Sequence, residues 1–335
     1  MSTINIALLG YGTVGKGVYE IINSNQERFL TLLGQNVKVV AILVKDIDKH
    51  IPPKEGILLT DHFEDIIQLP KLDVVIEATV GVEPSFSHIT RAIQRRCHVI
   101  TANKEMFAHH GQEIIELAKT YGTTVGFEAT VAGGIPIIQT LNKLLNINQV
   151  QKIEGILNGT TNFILTKMRE EGLSFEEALS LAQELGYAEA DPTNDVEGYD
   201  AFYKMMILSQ VCFGQQPDWK AVFRKGISGI TPDQIKHHDT TNLRIKHIAS
   251  ITKTEQGIEA ILKPTIVQPS HPFYNVEGVE NAVSIHANIV GNISLSGPGA
   301  GMYPTASAIV EDLIHACRTD VNEWHTSAVS QTSIV

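Results

Sequence analysis

Ile4-Asn5-Ile6-Ala7-Leu8-Leu9-Gly10-Tyr11-Gly12-Thr13-Val14-Gly15 is the stretch that decides the fold. Its first half is almost continuously apolar, the pattern of a parallel strand covered on both faces. Its second half is a Gly-x-Gly-x-x-Gly turn opening on a helix that carries Val18, Ile21 and Ile22. Alone such a turn is a weak signal. Set between a strand and a helix it is the fingerprint of a dinucleotide site. Gly10 permits the tight turn, Gly12 lets the backbone approach a pyrophosphate, and Gly15 lets helix and strand pack closely. The helix start adds free N–H groups and the positive end of a dipole for the phosphates.

Working outward, the strand–helix rhythm continues. Residues 37–44, 73–78, 97–100 and 124–127 read as further strands, with helical stretches at about 86–96 and 112–121. Such alternation predicts an α/β fold, a Rossmann-like doubly wound parallel sheet with helices on both faces. After about residue 130 the rhythm changes. Ser174-Phe175-Glu176-Glu177 is a capping box, followed by apolar Phe175, Ala178, Leu179, Ala182 and Leu185 and stopped by Gly186. Residues 200–213 form a helix apolar nearly all round, and Thr231-Pro232-Asp233-Gln234 opens another. Short strand-like pieces occupy about 257–295, and a closing helix covers 304–316. The second region therefore reads as an α+β insertion. The nucleotide domain takes 1–130 and about 303–320, a substrate and catalytic domain about 151–282, and a loose tail 321–335.

Composition narrows the class. The chain has 335 residues, 43 % of them hydrophobic and 19 % charged, enough apolar matter for more than one core. A net charge of −11 disfavours nucleic acid and anionic membranes as partners. Cys97, Cys212 and Cys317 are odd in number and far apart, which suits a reduced compartment. No apolar run is long enough to span a bilayer, and the N-terminus has no basic leader, so a cytoplasmic enzyme is expected.

Several constellations carry chemistry. The second strand runs into Val44-Lys45-Asp46, with Lys49 and Lys54 behind. The lysines suit the 2′-phosphate of NADP, and Asp46 suits the ribose of NAD. NADP is the expected cofactor, NAD the alternative. Thr101-Ala102-Asn103-Lys104 lies just past a strand, where open parallel sheets bind ligands. Asp200 and Lys204 share a helix face and are the sole charges between 200 and 213. Such lone charges on an apolar helix face each other in a cleft or do chemistry. Glu189-Ala190-Asp191-Pro192-Thr193-Asn194-Asp195 is a carboxylate-rich loop suited to an ammonium group or to solvent. Residues 128–136 read as a hinge whose glycines turn carbonyls inward, as a cation site needs. Residues 297–301 read as a loop of close backbone approach or a simple turn. Thirteen histidines offer no zinc spacing.

Taken together these segments closely resemble homoserine dehydrogenases, from Ile4 to about Arg318. The specific stretches are 10–15, 99–104, 127–138, 155–165, 186–204 and 297–301. The resemblance implies reversible reduction of L-aspartate 4-semialdehyde to L-homoserine with NAD(P)H, a step towards threonine, methionine and isoleucine. It implies an acid/base role for Lys204, substrate positioning by Asp200, a second active-site lysine at Lys104, and homoserine binding by Glu189 with Asp195 nearby. It assigns cofactor contact to Gly10, Gly12, Thr13, Val14, Gly15, Lys45, Thr79, Lys104 and Gly299. Lys45 stands where many members have arginine. Glu128, Val131, Gly133 and Ile135 match positions around a sodium ion, three of them through backbone carbonyls. The resemblance also implies a homodimer pairing through about 131–150 and 283–302. Many bacterial members carry a C-terminal threonine-binding domain; this chain stops at Val335, so no threonine inhibition of that kind is expected. A sister dehydrogenase of another small acid, or a silent nucleotide sensor, are the rival readings.

Overall fold

The structure, a computed structural model, describes residues 2–318. Strand β1 (Thr3–Leu9) leads through the glycine turn into α1 (Thr13–Ser24) and α2 (Gln26–Leu33). There follow β2 (Asn36–Leu43), β3 (Leu58–Thr60), α3 (Phe63–Ile67), β4 (Val74–Glu77), α4 (Ser85–Gln94), β5 (His98–Thr101), α5 (Lys104–Tyr121) and β6 (Val125–Gly126). The six strands pair in parallel in the order β3-β2-β1-β4-β5-β6. The succession of strands runs outward in opposite directions from β1 and from β4, so a crevice opens at their carboxyl ends. The apolar runs predict this burial: Ile6, Leu8, Val74 and Ile76 are fully covered on one face, Ala7, Leu9 and Val75 on the other.

The second half continues with α6 (Ile137–Leu144), β7 (Val150–Ile156), α7 (Gly159–Glu171), α8 (Phe175–Glu184), α9 (Thr193–Val196) and α10 (Tyr199–Phe213). Then come β8 (Phe223–Arg224), α11 (Pro232–Asp239), β9 (Arg244–Thr254), β10 (Gly257–Val267), β11 (Glu280–Ala287), β12 (Gly291–Pro298) and α12 (Met302–Cys317). These strands form a second sheet, ordered β12-β11-β7-β9-β10-β8 and antiparallel except between β10 and β8. Met205, Met206 and Leu208 of α10 pack with Ile153, Ile251 and Ile285 of that sheet. Helix α12 returns to the first sheet, where Ile309 and Leu313 join Ile4, Ile6, Leu8 and Val18. Phe107 and Ala108 of α5 share the core of α10, which joins the two halves.

The expected capping box forms at Ser174, and the expected helix start at Thr231 proves to carry a second one. Other expectations need correction. Helix α5 starts at Lys104 rather than near 112, because Asn103 caps it although His109, His110 and Gly111 obscure the apolar period. The pieces expected over 257–295 are long strands. Residues of β9 and β10 pair along eleven positions, with a half-buried alternation that Lys, Thr and Pro residues mask. Strand β7 and helix α7 escaped the periodicity reading. Polar residues interleave in β7, and α7 buries Thr160, Thr161, Asn162 and Thr166 on what should be its apolar face. The three-residue β3 was too short to see. The tail at 321–335, and the end of the segment 303–320, lie outside the described residues. Among the described residues no helix is long and apolar enough to cross a membrane.

Candidate active site

The glycine turn is built as its spacing requires. Gly10 has φ +98°, and a Cβ there would meet the Ala78 carbonyl oxygen at 2.7 Å. A Cβ on Gly15 would lie 2.2 Å from the Gly10 oxygen, whereas at Gly12 it would meet open space. Gly12 and Thr13 are exposed, Val14 is tucked against the first core, and no side chain caps the start of α1. The orphan N–H groups there are free for an anion, so the residues fit a pyrophosphate. Thr79, just past β4, is hydrogen-bonded to Glu77. Beyond β2, Lys45 is exposed, while the Asp46 carboxylate accepts from the Asp48 N–H and pairs with Lys49 at 2.9 Å. The loop 297–301 is a close approach rather than a simple turn. A Cβ on Gly133 would lie 2.5 Å from the Gly299 carbonyl carbon. Met302, which follows the loop, lies against Gly17 of α1.

Helices α5, α7 and α10 converge on a second polar group. Asp200, 8 % exposed, accepts from Lys104 Nζ at 2.8 Å on one oxygen and from Lys204 Nζ at 2.7 Å on the other. Lys204 also donates to the Leu157 carbonyl at 2.7 Å, which fixes it against the end of β7. The lysines differ in exposure. Lys204 is 9 % exposed and forms the floor, while Lys104, at the first turn of α5, is 44 % exposed and faces the opening. Burial would push the Asp200 carboxyl up, but the two ammonium groups outweigh it and hold Asp200 well below its ordinary value. Burial lowers the pKa of Lys204 against the pull of Asp200. Asp200 raises that of Lys104 against burial.

Asp195, on α9, joins this group. Its carboxylate and that of Asp200 both accept from Asn158 Nδ2, at 2.6 and 2.9 Å. Burial and the like charge of Asp200 raise its pKa. Glu189 stands at the rim. It is exposed, its carboxylate takes no part in the hydrogen bonds of the cluster, and it is near enough to raise the pKa of Lys104. Asn158 is a residue that the sequence reading did not single out. Its Oδ1 accepts from the Thr161 N–H at 2.8 Å, so it is the N-cap of α7. An Asn between an apolar strand end and Gly159-Thr160-Thr161 is a cap signature that could have found it.

The hinge group lies apart from these residues. The two Glu128 oxygens accept from the N–H groups of Ile138 and Gln139, so the carboxylate caps α6. Ala132 and Gly133 take positive φ of 56° and 54°, and Val131 and Ile135 are buried. Nearby Asn281, fully buried against Gly299, has both side-chain polar atoms without a partner among the described residues. An unpartnered buried amide beside a strained, carbonyl-rich loop fits a hard monovalent cation or an ordered water. Among the described residues no group of three or more His, Cys, Asp or Glu could hold a metal.

A family model described as the homoserine dehydrogenase NAD-binding domain matches residues 10–128, and one described as homoserine dehydrogenase matches 136–314. The chain is 43 % identical to the homoserine dehydrogenase of Bacillus subtilis, covering 94 % of this chain and 73 % of that one. It is similar to the crystal structure of a homoserine dehydrogenase from Thiobacillus denitrificans, with TM-score 0.90, 40 % identity, and 95 % and 74 % of the two chains covered. It is also similar to a hyperthermophilic archaeal homoserine dehydrogenase solved with NADPH, with TM-score 0.80, 30 % identity, and 94 % and 98 % covered. The chain therefore belongs to the homoserine dehydrogenase family of NAD(P)-dependent oxidoreductases.

Proposed function

We propose that the cluster Lys104–Asp200–Lys204 is the reaction centre for interconverting L-aspartate 4-semialdehyde and L-homoserine. The single observation that carries this reading is one buried carboxylate gripping two ammonium groups, one on the floor and one at the mouth of the cleft. The Gly10–Gly15 turn and Thr79 hold the nicotinamide cofactor with Gly299, and that cofactor supplies or accepts the hydride when bound. Glu189 and Asp195 bind the substrate ammonium by charge. Lys104 and Lys204 polarise the aldehyde oxygen, where negative charge develops. Lys204 gives the proton to that oxygen, supported by its lowered pKa, which makes it the readier acid. Asp200 holds both lysines in place. In the reverse direction Lys204 takes the hydroxyl proton.

NADP is the favoured cofactor in this reading. Asp46 is already paired with Lys49 and capping a turn, while Lys45 stands exposed directly past the end of β2. The NADPH bound by the archaeal relative points the same way. The carbonyls of Val131, Gly133 and Ile135 beside Glu128 hold a monovalent cation, sodium by preference, which steadies the hinge. Residues 131–150 and 283–302 form a homodimer interface, supported by exposed Ile147, Ile289 and Val290 at one end of the second sheet. The free thiols of Cys97, Cys212 and Cys317 suit the cytoplasm.

The test is homoserine oxidation with NAD and NADP in parallel, with a light-scattering mass of the same sample. Homoserine-dependent reduction of cofactor, a higher kcat/KM with NADP and the mass of two chains are expected. No turnover would overturn the assignment of the centre, and a preference for NAD would overturn the role of Lys45.

A further inference from the structure

Glu77 ends β4 at the carboxyl edge of the first sheet, and its side chain is fully buried. Five donors converge on it. Oε2 accepts from Thr101 Oγ1 at 2.6 Å. Oε1 accepts from the Thr79 N–H at 2.9 Å, from the Thr79 hydroxyl, from Ser85 Oγ at 3.3 Å and, at the long limit of 3.5 Å, from Asn103 Nδ2. Among the described residues no cation is a partner of it, and burial raises its pKa against these hydrogen bonds. A buried carboxylate without a counter-ion is a cost to folding.

The partners belong to four different pieces of chain. Thr79 opens the loop after β4, Ser85 starts α4, Thr101 ends β5, and Asn103 is the N-cap of α5. Asn103 also donates to the Gly81 carbonyl at 2.8 Å, so it ties α5 to the β4 loop a second time. Its own N–H donates to Thr101 Oγ1 at 3.0 Å, and its Oδ1 accepts from the Met106 N–H at 3.1 Å. The next residue is Lys104, whose ammonium reaches Asp200.

We propose that Glu77 is a positioning residue. It locks the β4 loop, on the cofactor side, to the first turn of α5, on the substrate side, and so sets where Lys104 stands relative to bound cofactor. This rests on the reading of Lys104 as an active-site group. A glutamine cannot replace it without loss, since an amide presents one acceptor oxygen and a donor NH2 where the carboxylate presents two acceptor oxygens. In one orientation the amide NH2 confronts the Thr79 N–H. In the other it confronts Thr101, whose hydroxyl proton then loses its acceptor just before the cap that launches Lys104.

The experiment compares Glu77→Gln, Lys104→Ala and the double variant. The Glu77→Gln protein should melt at or above the wild-type temperature, because an unpaired buried charge is gone. Its kcat should nevertheless fall about tenfold or more, the scale of small displacements at a reacting centre. NADPH affinity, read by fluorescence titration without substrate, should weaken severalfold through the Thr79 loop. In the Lys104→Ala background the Glu77→Gln loss in kcat should largely disappear, because both act through one ammonium group. Should Glu77→Gln not fold, Thr101→Val, which removes one donor to Glu77 together with the acceptor of the Asn103 N–H, takes its place in the same measurements. Wild-type kcat and NADPH affinity in the folded variant, or losses that simply multiply, overturn the role of Glu77. A fully active Lys104→Ala enzyme overturns the active-site reading itself.

Discussion

Asp200 spends one oxygen on each lysine, and the consequences for the two amines are opposite. Lys204 sits on the floor with its pKa lowered, while Lys104 at the mouth has its pKa raised. A general acid works best when losing its proton is not too costly, which favours Lys204. Replacing Lys204 by alanine should lower kcat at least about a hundredfold, with NADPH affinity nearly unchanged. Steady-state kinetics beside a binding titration measure both quantities, and near-wild-type turnover would remove Lys204 from the mechanism. The thiols are inert by the same physics. Burial pushes Cys97 up to about 11 and Cys212 up to about 12, so neither presents a thiolate at neutral pH.

At the scale of elements, α7 is the support on which the carboxylates of the site are arranged. Asn158 caps the helix with its oxygen and bridges Asp195 and Asp200 with its nitrogen. Asn158→Ala should cost about 1 kcal/mol of stability for the lost cap. It should cost kcat more than that stability loss accounts for, because the Asp195 and Asp200 carboxylates lose a shared donor. Asn158→Asp separates the two effects. Aspartate keeps a good cap but sets a third carboxylate against the other two, so kcat should stay low while the cap contribution is retained. Urea midpoints and kcat measured on both variants check this, and an Asn158→Ala enzyme unchanged in both would show that α7 needs no such anchor.

For the whole molecule, pH acts through groups that fold into apolar surroundings. His247 on β9 bonds the Lys225 carbonyl beside β8 at 3.0 Å and abuts Gly198 at the start of α10. Burial, against that bond, lowers its pKa from 6.5 to about 4. Between those values the unfolded chain binds the proton and the folded protein does not. Its contribution is fully present above pH 6.5 and is lost as pH falls to about 4, a change of about 3 kcal/mol. Urea unfolding at pH 7 and pH 5 should show wild type losing more stability than His247→Gln, which cannot take up the proton. An identical pH dependence in the two proteins would mean that His247 titrates normally.

Local chemistry written along the chain determined the first sheet, the phosphate turn and the capping boxes. Gly10 to Gly15, Ser174 with Glu177 and Thr231 with Gln234 act within a few residues of themselves, and apolar runs reveal burial wherever both faces are covered. The pairing of Asp200 with Lys204 was legible for the same reason, since one helix turn joins them. Only the tertiary structure decided that Asp200 is shared with Lys104 and that Asn158 ties in Asp195. Those contacts join residues far apart in sequence, and no local period encodes them. It also decided that β7 and α7 exist as they do, because threonines and asparagine become good interior residues only when distant partners take up their hydrogen bonds. Glu77 belongs there too: along the chain it is one polar residue at a strand end, and its five donors meet only when the β4 loop, α4, β5 and α5 fold around it.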